Sequence, residues 1–488
     1  MLNRTLPELF FIRTCIASLR SIPPLSTLYT LTRFTILPSA FHLPLPLELY
    51  LYAEALSFTA VYLPRKLILQ KPAQHPPLSS PSNRRALFKK CIDETPDVGA
   101  YLSGWFHGAA VETIKRENVR EFLSWAYLNG SRDGGSEEFA ELEEYVSLVE
   151  SRLGRRFEKG YDKKVKCIRL TLDGVVMEYR SLLWYFIVYV VDLTTCIRFS
   201  WHSFNHFAPG AWFRILPPRP HTALSSRSPA RHISYWHRSH THPTKHPIIF
   251  LHGIGIGLYP YTSFLHDLAA LDPTVGVLVL EFMPLSFRFS HTPLSKSAFT
   301  EEFTAILMQH DIQNFMLVSH SYGTVLSTWL LHSEHLASRI SSLILIDPVT
   351  ILLHHPSIAY KFIHRAPTTA NEWQLQYFAS RDPDVANLLS RHFFWADNIL
   401  WKEELAGKKV GIVISENDLI VDAPECWRYL TGQERAKNGR GDLVVIWCEG
   451  LDHAQVFDTQ VRRGVVVALA EEFHEAQQRG ERQGVGLV

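Results

Sequence analysis

The chain has 488 residues, 46% hydrophobic and 20% charged, a globular balance that excludes a collagen-like, coiled-coil or largely disordered protein. Lys and Arg number 49 against 48 Asp and Glu, a formal net charge of +1, so no overall basic field is present to hold nucleic acid. At roughly 150 residues per domain, the length predicts two or three folding units.

Residues 1–70 form an apolar N-terminal segment. Its prolines, Pro23, Pro24, Pro38, Pro44 and Pro46, are expected to break any long helix. Glu8 and Arg13 interrupt the short apolar run between them, so no secretory signal is read. Residues 47–63 are mostly apolar but hold Glu48 and Glu54; residues 182–191 are wholly apolar, and Asp192 separates them from 193–197. Neither stretch offers the roughly 20 clean apolar residues of a spanning helix. A charge at mid-bilayer costs at least about 2.5 kcal/mol. Spanning, interfacial and buried helices therefore all remain open for these segments.

Two Pro-rich stretches, 71–85 and 217–230, read as extended loops. Residues 86–210 between them read as a mainly helical extension, with an acidic run at 137–145 taken as a solvated helix face. The six cysteines, Cys15, Cys91, Cys167, Cys196, Cys426 and Cys448, form no CxxC pair. That argues against a zinc knuckle and fits a reducing, intracellular compartment. His237, His240, His242 and His246 lie in a loop without an acid or Cys to complete a tight metal spacing, so no metal site is expected.

From about residue 211 short β-branched runs alternate with helical stretches. Strands are predicted at 213–216, 233–237, 248–251, 275–282, 315–319, 343–346, 410–415 and 443–447. Several are continuous apolar runs, as buried parallel strands require. The pattern predicts a mostly parallel, doubly wound α/β sheet over 211–476. The first two strands would form an antiparallel lead-in. Residues 348–409 are too long for a plain loop and are expected to form a helical cap. Residues 477–488 read as a flexible tail.

Four signals fall at the ends of these strands. In Ser319-His320-Ser321-Tyr322-Gly323, a strand runs into a sharp turn that carries Ser321, and a helix follows. Small flanking residues let strand and helix approach, which lifts the serine hydroxyl above the sheet. The first small position is Ser319 instead of the usual glycine. The loop His252-Gly253-Ile254-Gly255-Ile256-Gly257 follows a strand and is expected to aim backbone amides, those of Ile254 and Tyr322, at a developing oxyanion. A phosphate-binding reading lacks the Lys–Ser/Thr pair that it needs. Asp418 follows the next-to-last strand, with Asp422 and Asp347 as competitors for the acid. His453 follows the last strand and is the candidate base. Asp458, five residues on, also fits a spacing that acyltransferases use. Ser321, then Asp418, then His453 is the chain order of nucleophile, acid and base in one hydrolase architecture.

On these residues the chain from about 210 to 475 resembles the α/β-hydrolase fold family. The whole chain resembles a group of fungal proteins of this fold that have aromatic-rich N-terminal extensions and the pattern His-Gly-Ile-Gly-Ile-Gly-Leu. The resemblance implies Ser321 as nucleophile, Asp418 as acid, His453 as base, Ile254 and Tyr322 as the oxyanion hole, and His252, Gly253 and Gly255 as its loop. It implies a serine esterase or lipase that needs no metal or organic cofactor and acts on a small-molecule or lipid acyl ester. A serine at position 321 argues against the epoxide- and halide-releasing members, which use Asp. The rival readings are an acyltransferase using the same serine and a catalytically silent scaffold of the same fold. A membrane surface is the expected partner, and intracellular membrane association the expected location. Oligomeric state is not legible from the sequence. Trp395 and Trp401 would line an acyl pocket or pack under the cap.

Overall fold

The computed structural model describes residues 2–35, 43–130, 135–210, 212–433 and 442–485. Its N-terminal half is helical. Helix α1 (Leu6–Thr35) contains Pro23 and Pro24, which the sequence reading took as helix breakers. Pro38 lies outside the described residues. Both turns flanking the two prolines are held by packing: Ile12 and Ile16 bury against Ala370 and Tyr377, and Tyr29 donates to Glu48 of α2 (Leu45–Leu56). Tertiary contacts thus outweigh the two lost backbone bonds. Helix α2 runs through a π-helical turn, Ser57–Tyr62, into α3 (Leu63–Leu69).

Residues 81–85, predicted as loop, are the first turn of α4 (Pro81–Asp93). Pro81 sits where a helix has no use for the missing N–H, and Ser80 Oγ accepts from Asn83 N at 3.3 Å. Helices α4, α5 (Val98–Trp105), α6 (Arg116–Leu128) and α7 (Ser136–Leu153) share a core of Phe88, Leu102, Val119, Phe122 and Val146. The acidic run on α7 is not wholly solvated, because Glu141 is buried and paired with Arg84. Helix α8 (Leu182–Trp201) follows.

Nine strands then form one sheet in the order β2-β1-β3-β5-β4-β6-β7-β8-β9. They are β1 (Asn205–Ala208), β2 (Ser226–Arg227), β3 (Ser234–Arg238), β4 (Ile248–Leu251), β5 (Val277–Glu281), β6 (Phe315–His320), β7 (Ile340–Ile346), β8 (Lys409–Ser415) and β9 (Leu443–Cys448). From β5 to β9 all pairs are parallel; β1–β3 and β3–β5 are antiparallel. The antiparallel lead-in exists, but β1 supplies it. The predicted strand 213–216 is instead a 3-10 turn, Trp212–Arg214, with one bridge from Leu216 to Phe289.

Alternate strand residues feed two cores. Ile249 and Leu251 join the core that holds Phe299, Val325 and Trp427, whereas Ile248 and Phe250 join the core of Leu265 and Phe473. Hence α9 (Thr262–Leu271) and α18 (Gln460–Val485) cover one face, and α10 (Lys296–Gln309), α11 (Gly323–Leu331) and α17 (Ala423–Thr431) cover the other. Short α12 (Glu334–Ala337) closes the turn into β7. Cap helices α13 (Pro356–Ala359), α14 (Ala370–Gln374), α15 (Pro383–Asn387) and α16 (Trp395–Asn398) lie between β7 and β8, and α17 (Ala423–Thr431) follows β8. Helix α18 (Gln460–Val485) extends past the predicted start of a flexible tail at 477. Gln477 is tied to the loop before β4, its amide donating to Thr244 O at 2.8 Å. Residues 486–488 lie outside the described residues.

A buried ionic cluster fastens the helical half to the sheet. Arg219 donates to Asp192 of α8 at 2.8 and 3.0 Å and to Glu281 of β5 at 2.8 and 2.9 Å. His206 of β1 reaches Glu281 at 3.0 Å, and Arg288 reaches Asp192 at 3.2 Å. Each charge in this low-dielectric site has an opposite neighbour, as burial of ions demands.

Candidate active site

Three strand ends deliver the central groups. Ser321 sits in the turn between β6 and α11 with φ of 52°, a left-handed conformation that is strained for any residue but glycine. The turn is tight: a Cβ on Gly323 would lie 2.3 Å from Leu251 O of β4, so only glycine lets α11 start against the sheet. The departure at Ser319 has a structural use. Its Oγ accepts from Ser327 Oγ at 2.8 Å, which ties β6 to α11.

His453 Nε2 lies 2.9 Å from Ser321 Oγ, and His453 Nδ1 lies 2.7 Å from Asp418 Oδ2. All three residues are buried. The other oxygen of Asp418 accepts from Ile420 N at 2.7 Å and Val421 N at 2.9 Å, which fixes the carboxylate plane. The competitors are occupied elsewhere. Asp422 caps α17, accepting from Glu425 N. Asp347 accepts from Ser415 N and Ala454 N, both at 2.9 Å, and so clamps the end of β7 to β8 and to the His453 loop. Asp452 holds the same loop through Leu419 N at 3.0 Å and His453 N at 2.7 Å. Asp458 pairs with Arg462 at 3.8 Å on α18 and makes no described bond to His453.

Burial of the His453 ring opposes its charged form, but Asp418, with Asp347 and Asp452 behind it, outweighs that and pushes its pKa up to about 9. Burial, with the charge of Asp418 adding, pushes Asp347 up to about 6. Burial, with His453 and His252 adding, holds neighbouring His320 well below the ordinary histidine range.

The glycine-rich loop lies against this group. A Cβ on Gly253 would stand 2.7 Å from Ser321 Cβ, so the loop can reach the serine only with glycine there. No described acceptor engages the Ile254 or Tyr322 N–H, and both residues border the same cavity as Ser321. Gly255 N donates to Leu285 O at 3.0 Å and so anchors the loop instead of facing the serine. His252 has a bracing role: Nδ1 donates to Gly253 O at 2.7 Å while Nε2 accepts from Phe282 N at 3.1 Å. Tyr261 was not singled out in the sequence. Its hydroxyl accepts from Gly253 N at 3.3 Å and reaches His320 Nδ1 at 2.9 Å.

Nitrogens of His320 and His453 and an oxygen of Asp347 lie within 4.8 Å of one another. His453 and Asp347 already have hydrogen-bond partners, so a cation held there would compete with the Ser321–His453 contact. The His-rich loop is tied to backbone: His240 Nδ1 accepts from Gly276 N at 3.0 Å, and His242 Nδ1 from Lys245 N at 2.8 Å.

Above Ser321 opens a cavity of about 170 Å³. Its floor is Ile254, Ser321 and Tyr322; the cap supplies Phe362, Leu389 and Phe393. The helical half supplies Leu87, Trp105, Trp125, Tyr127 and the Pro-rich residues 75–79. Trp395 lines it and is fixed by donation to Ala126 O at 3.1 Å. Trp401 packs away from it, beneath Lys90 and beside His354. The walls are mostly apolar, with His75, Arg84, Asn129 and Asp397 among them.

Residues 246–408 match the model of the alpha/beta hydrolase fold, about a third of the chain. No match is found among curated proteins. Similar solved structures include a carboxylesterase of the thaumarchaeon Nitrososphaera gargenis, 12% identical with a TM-score of 0.35, covering 50% of this chain and 96% of its own. A proline iminopeptidase of Mycobacterium smegmatis is 14% identical with a TM-score of 0.34 (50% and 96% covered). Carboxyl esterase 2 of the mycorrhizal fungus Tuber melanosporum is 18% identical with a TM-score of 0.34 (50% and 81% covered).

Proposed function

We propose that the protein is a serine hydrolase that cleaves carboxylic esters of apolar acyl groups through an acyl-enzyme. The observation that carries this reading is the pair of contacts linking Ser321 Oγ to His453 and His453 to Asp418, at 2.9 and 2.7 Å, beneath an apolar cavity. Asp418 holds the His453 tautomer with Nδ1–H, which leaves Nε2 to take the serine proton. Ser321 Oγ then attacks the acyl carbonyl. The Ile254 and Tyr322 amides receive the oxyanion, each worth about 2.7–4 kcal/mol if it acts as comparable donors do. His453 returns the proton to the leaving alcohol, and water releases the acyl group by the same steps.

The cavity selects for substrate by burial. Each CH₂ moved from water into such walls gains about 0.8 kcal/mol, so the acyl portion, small-molecule or lipid, is the part recognised. Transfer to another acceptor needs no different machinery, but no described residue singles out an acceptor, and hydrolysis is the simpler outcome.

A fluorophosphonate probe tests the reading. The folded wild type is expected to be labelled, and Ser321→Ala to lose all labelling at unchanged thermal stability. Equal labelling of the two, or none of a wild type whose cavity admits the probe, would overturn it.

A further inference from the structure

We propose that the helical half is a bilayer-docking platform, which seats the protein on the surface of an anionic membrane without crossing it. The three acids within α2 and α8 all turn inward. Glu48 accepts from Tyr29 on α1. Glu54 accepts from Tyr179 at 2.6 Å and from Leu182 N, at the start of α8, at 2.9 Å. Asp192, midway along α8, lies in the Arg219 and Arg288 cluster. A spanning helix meets lipid on all sides, and α8, long and apolar enough to span, cannot do so while Asp192 is held against β5.

The opposite faces of these helices are apolar and open. On α1 Phe10 and Leu28 are 76% and 62% exposed, on α2 and α3 Leu56 and Leu67 are 64% and 75% exposed, and on α8 Phe186 and Trp201 are 61% and 84% exposed. The helices are joined at Glu48 and Glu54, so these rows belong to one connected layer. Its charges give the occupant's sign. Among the described residues up to 71, Arg4, Arg13, Arg20, Lys66 and Lys71 are exposed; against them stand Glu8, half-exposed in the first turn of α1, and Glu178, which pairs with Arg20 at 2.6 Å. An apolar face edged mainly by cations fits a bilayer that carries anionic headgroups.

The platform also leads to the site. A groove of about 1040 Å³ begins at Arg65, Ile68 and Leu69 of α3 and shares Pro76, Phe394 and Asp397 with the cavity over Ser321. A lipid drawn from the surface at α3 would have a short path to the serine. This last step rests on the hydrolase reading; the docking does not.

The test is flotation of the purified full chain with vesicles of phosphatidylcholine alone or mixed with phosphatidylglycerol. Beside it runs the triple variant Leu28→Glu, Leu56→Glu, Phe186→Glu, whose three sites are exposed. Hydrolysis of a short soluble ester is followed in parallel, so that loss of docking and failure of the hydrolase reading are read separately. The wild type is expected to float, more with phosphatidylglycerol and less as salt is raised. The variant should stay in the bottom fraction with its soluble-ester activity intact. Flotation supports the platform whatever the ester assay returns. A wild type that does not float, or a variant that floats as well as the wild type, would overturn it. So would a wild-type dimer in sedimentation velocity that the same variant dissolves, because a second copy would then cover the face.

Discussion

Buried carboxylates do opposite work in the two halves of this molecule. In the sheet, Asp347, Asp418 and Asp452 converge on one loop and hold His453 against Ser321. In the helical half, Glu48, Glu54 and Asp192 each pull an otherwise apolar helix onto the fold and leave its far side bare. The first arrangement concentrates negative charge on a titratable ring. The second spreads charges singly and gives each its own hydrogen-bond donors or cations. Burial of an ion therefore reads as chemistry only where several like charges face one base, and as fastening where each has its own partner.

The sharpest way to break this comparison is to remove charge from each sheet acid in turn. Asp418→Asn is expected to lower kcat by about 10⁴-fold, since the wrong histidine tautomer would then face the serine. Asp347→Asn should cost far less activity but destabilise by roughly 1–3 kcal/mol, because an amide cannot accept from both Ser415 and Ala454. Ester kinetics beside thermal unfolding would separate the two. Equal activity losses would merge acid and clamp into one role.

On the fastening side, Arg219→Ala should destabilise by about 3–5 kcal/mol, as it strands Asp192 and Glu281 without their shared partner. Chemical denaturation reads this directly, and a change under about 1 kcal/mol would contradict a fastening role.

Charge concentration also predicts a pH profile. His453 must be neutral to take the serine proton, and the carboxylates raise its pKa to about 9. The rate kcat/KM should therefore climb with pH through an apparent pKa above the ordinary histidine value of ~6.5. At neutral pH it would stand about a hundredfold below its alkaline plateau, two units at tenfold each. A limb at or below ~6.5 would mean that burial of the ring outweighs the carboxylates.

The smallest effect tests the wall that the helical half lends to the sheet. Ala126→Phe would push a ring into the cavity beside Trp395. It should lower kcat/KM for long-chain esters about tenfold more than for short ones. An unchanged chain-length preference would remove α6 from the pocket.

The sheet half was legible because its signals are local. Apolar β-branched runs mark β4 to β9, and Ser321, Asp418 and His453 each follow such a run at a turn. Ser319 weakened the motif on paper, yet the structure uses its hydroxyl. Strands β1 and β2, four and two residues long, lie at the sheet edge and carry too few residues to show a period. Helix α1 was misread because Pro23 and Pro24 are local signals overruled by contacts with α2 and the cap. The cavity walls were invisible for a related reason: Trp105 and Trp125 come to line the cavity only through the packing of the helical bundle against the cap. Nor could Tyr261 be picked out, since an aromatic beside a glycine-rich loop is commonplace until its hydroxyl is seen to hold Gly253.

The account turns on Ser321 attacking an acyl carbonyl in that cavity. Intact-mass spectrometry with peptide mapping of the protein, quenched during turnover of a long-chain nitrophenyl ester, tests this most directly. One acyl group on the peptide that carries Ser321, absent in Ser321→Ala and in His453→Ala, is the predicted result. Ester hydrolysis that proceeds unchanged in Ser321→Ala, or an acyl group found on another residue, would contradict it.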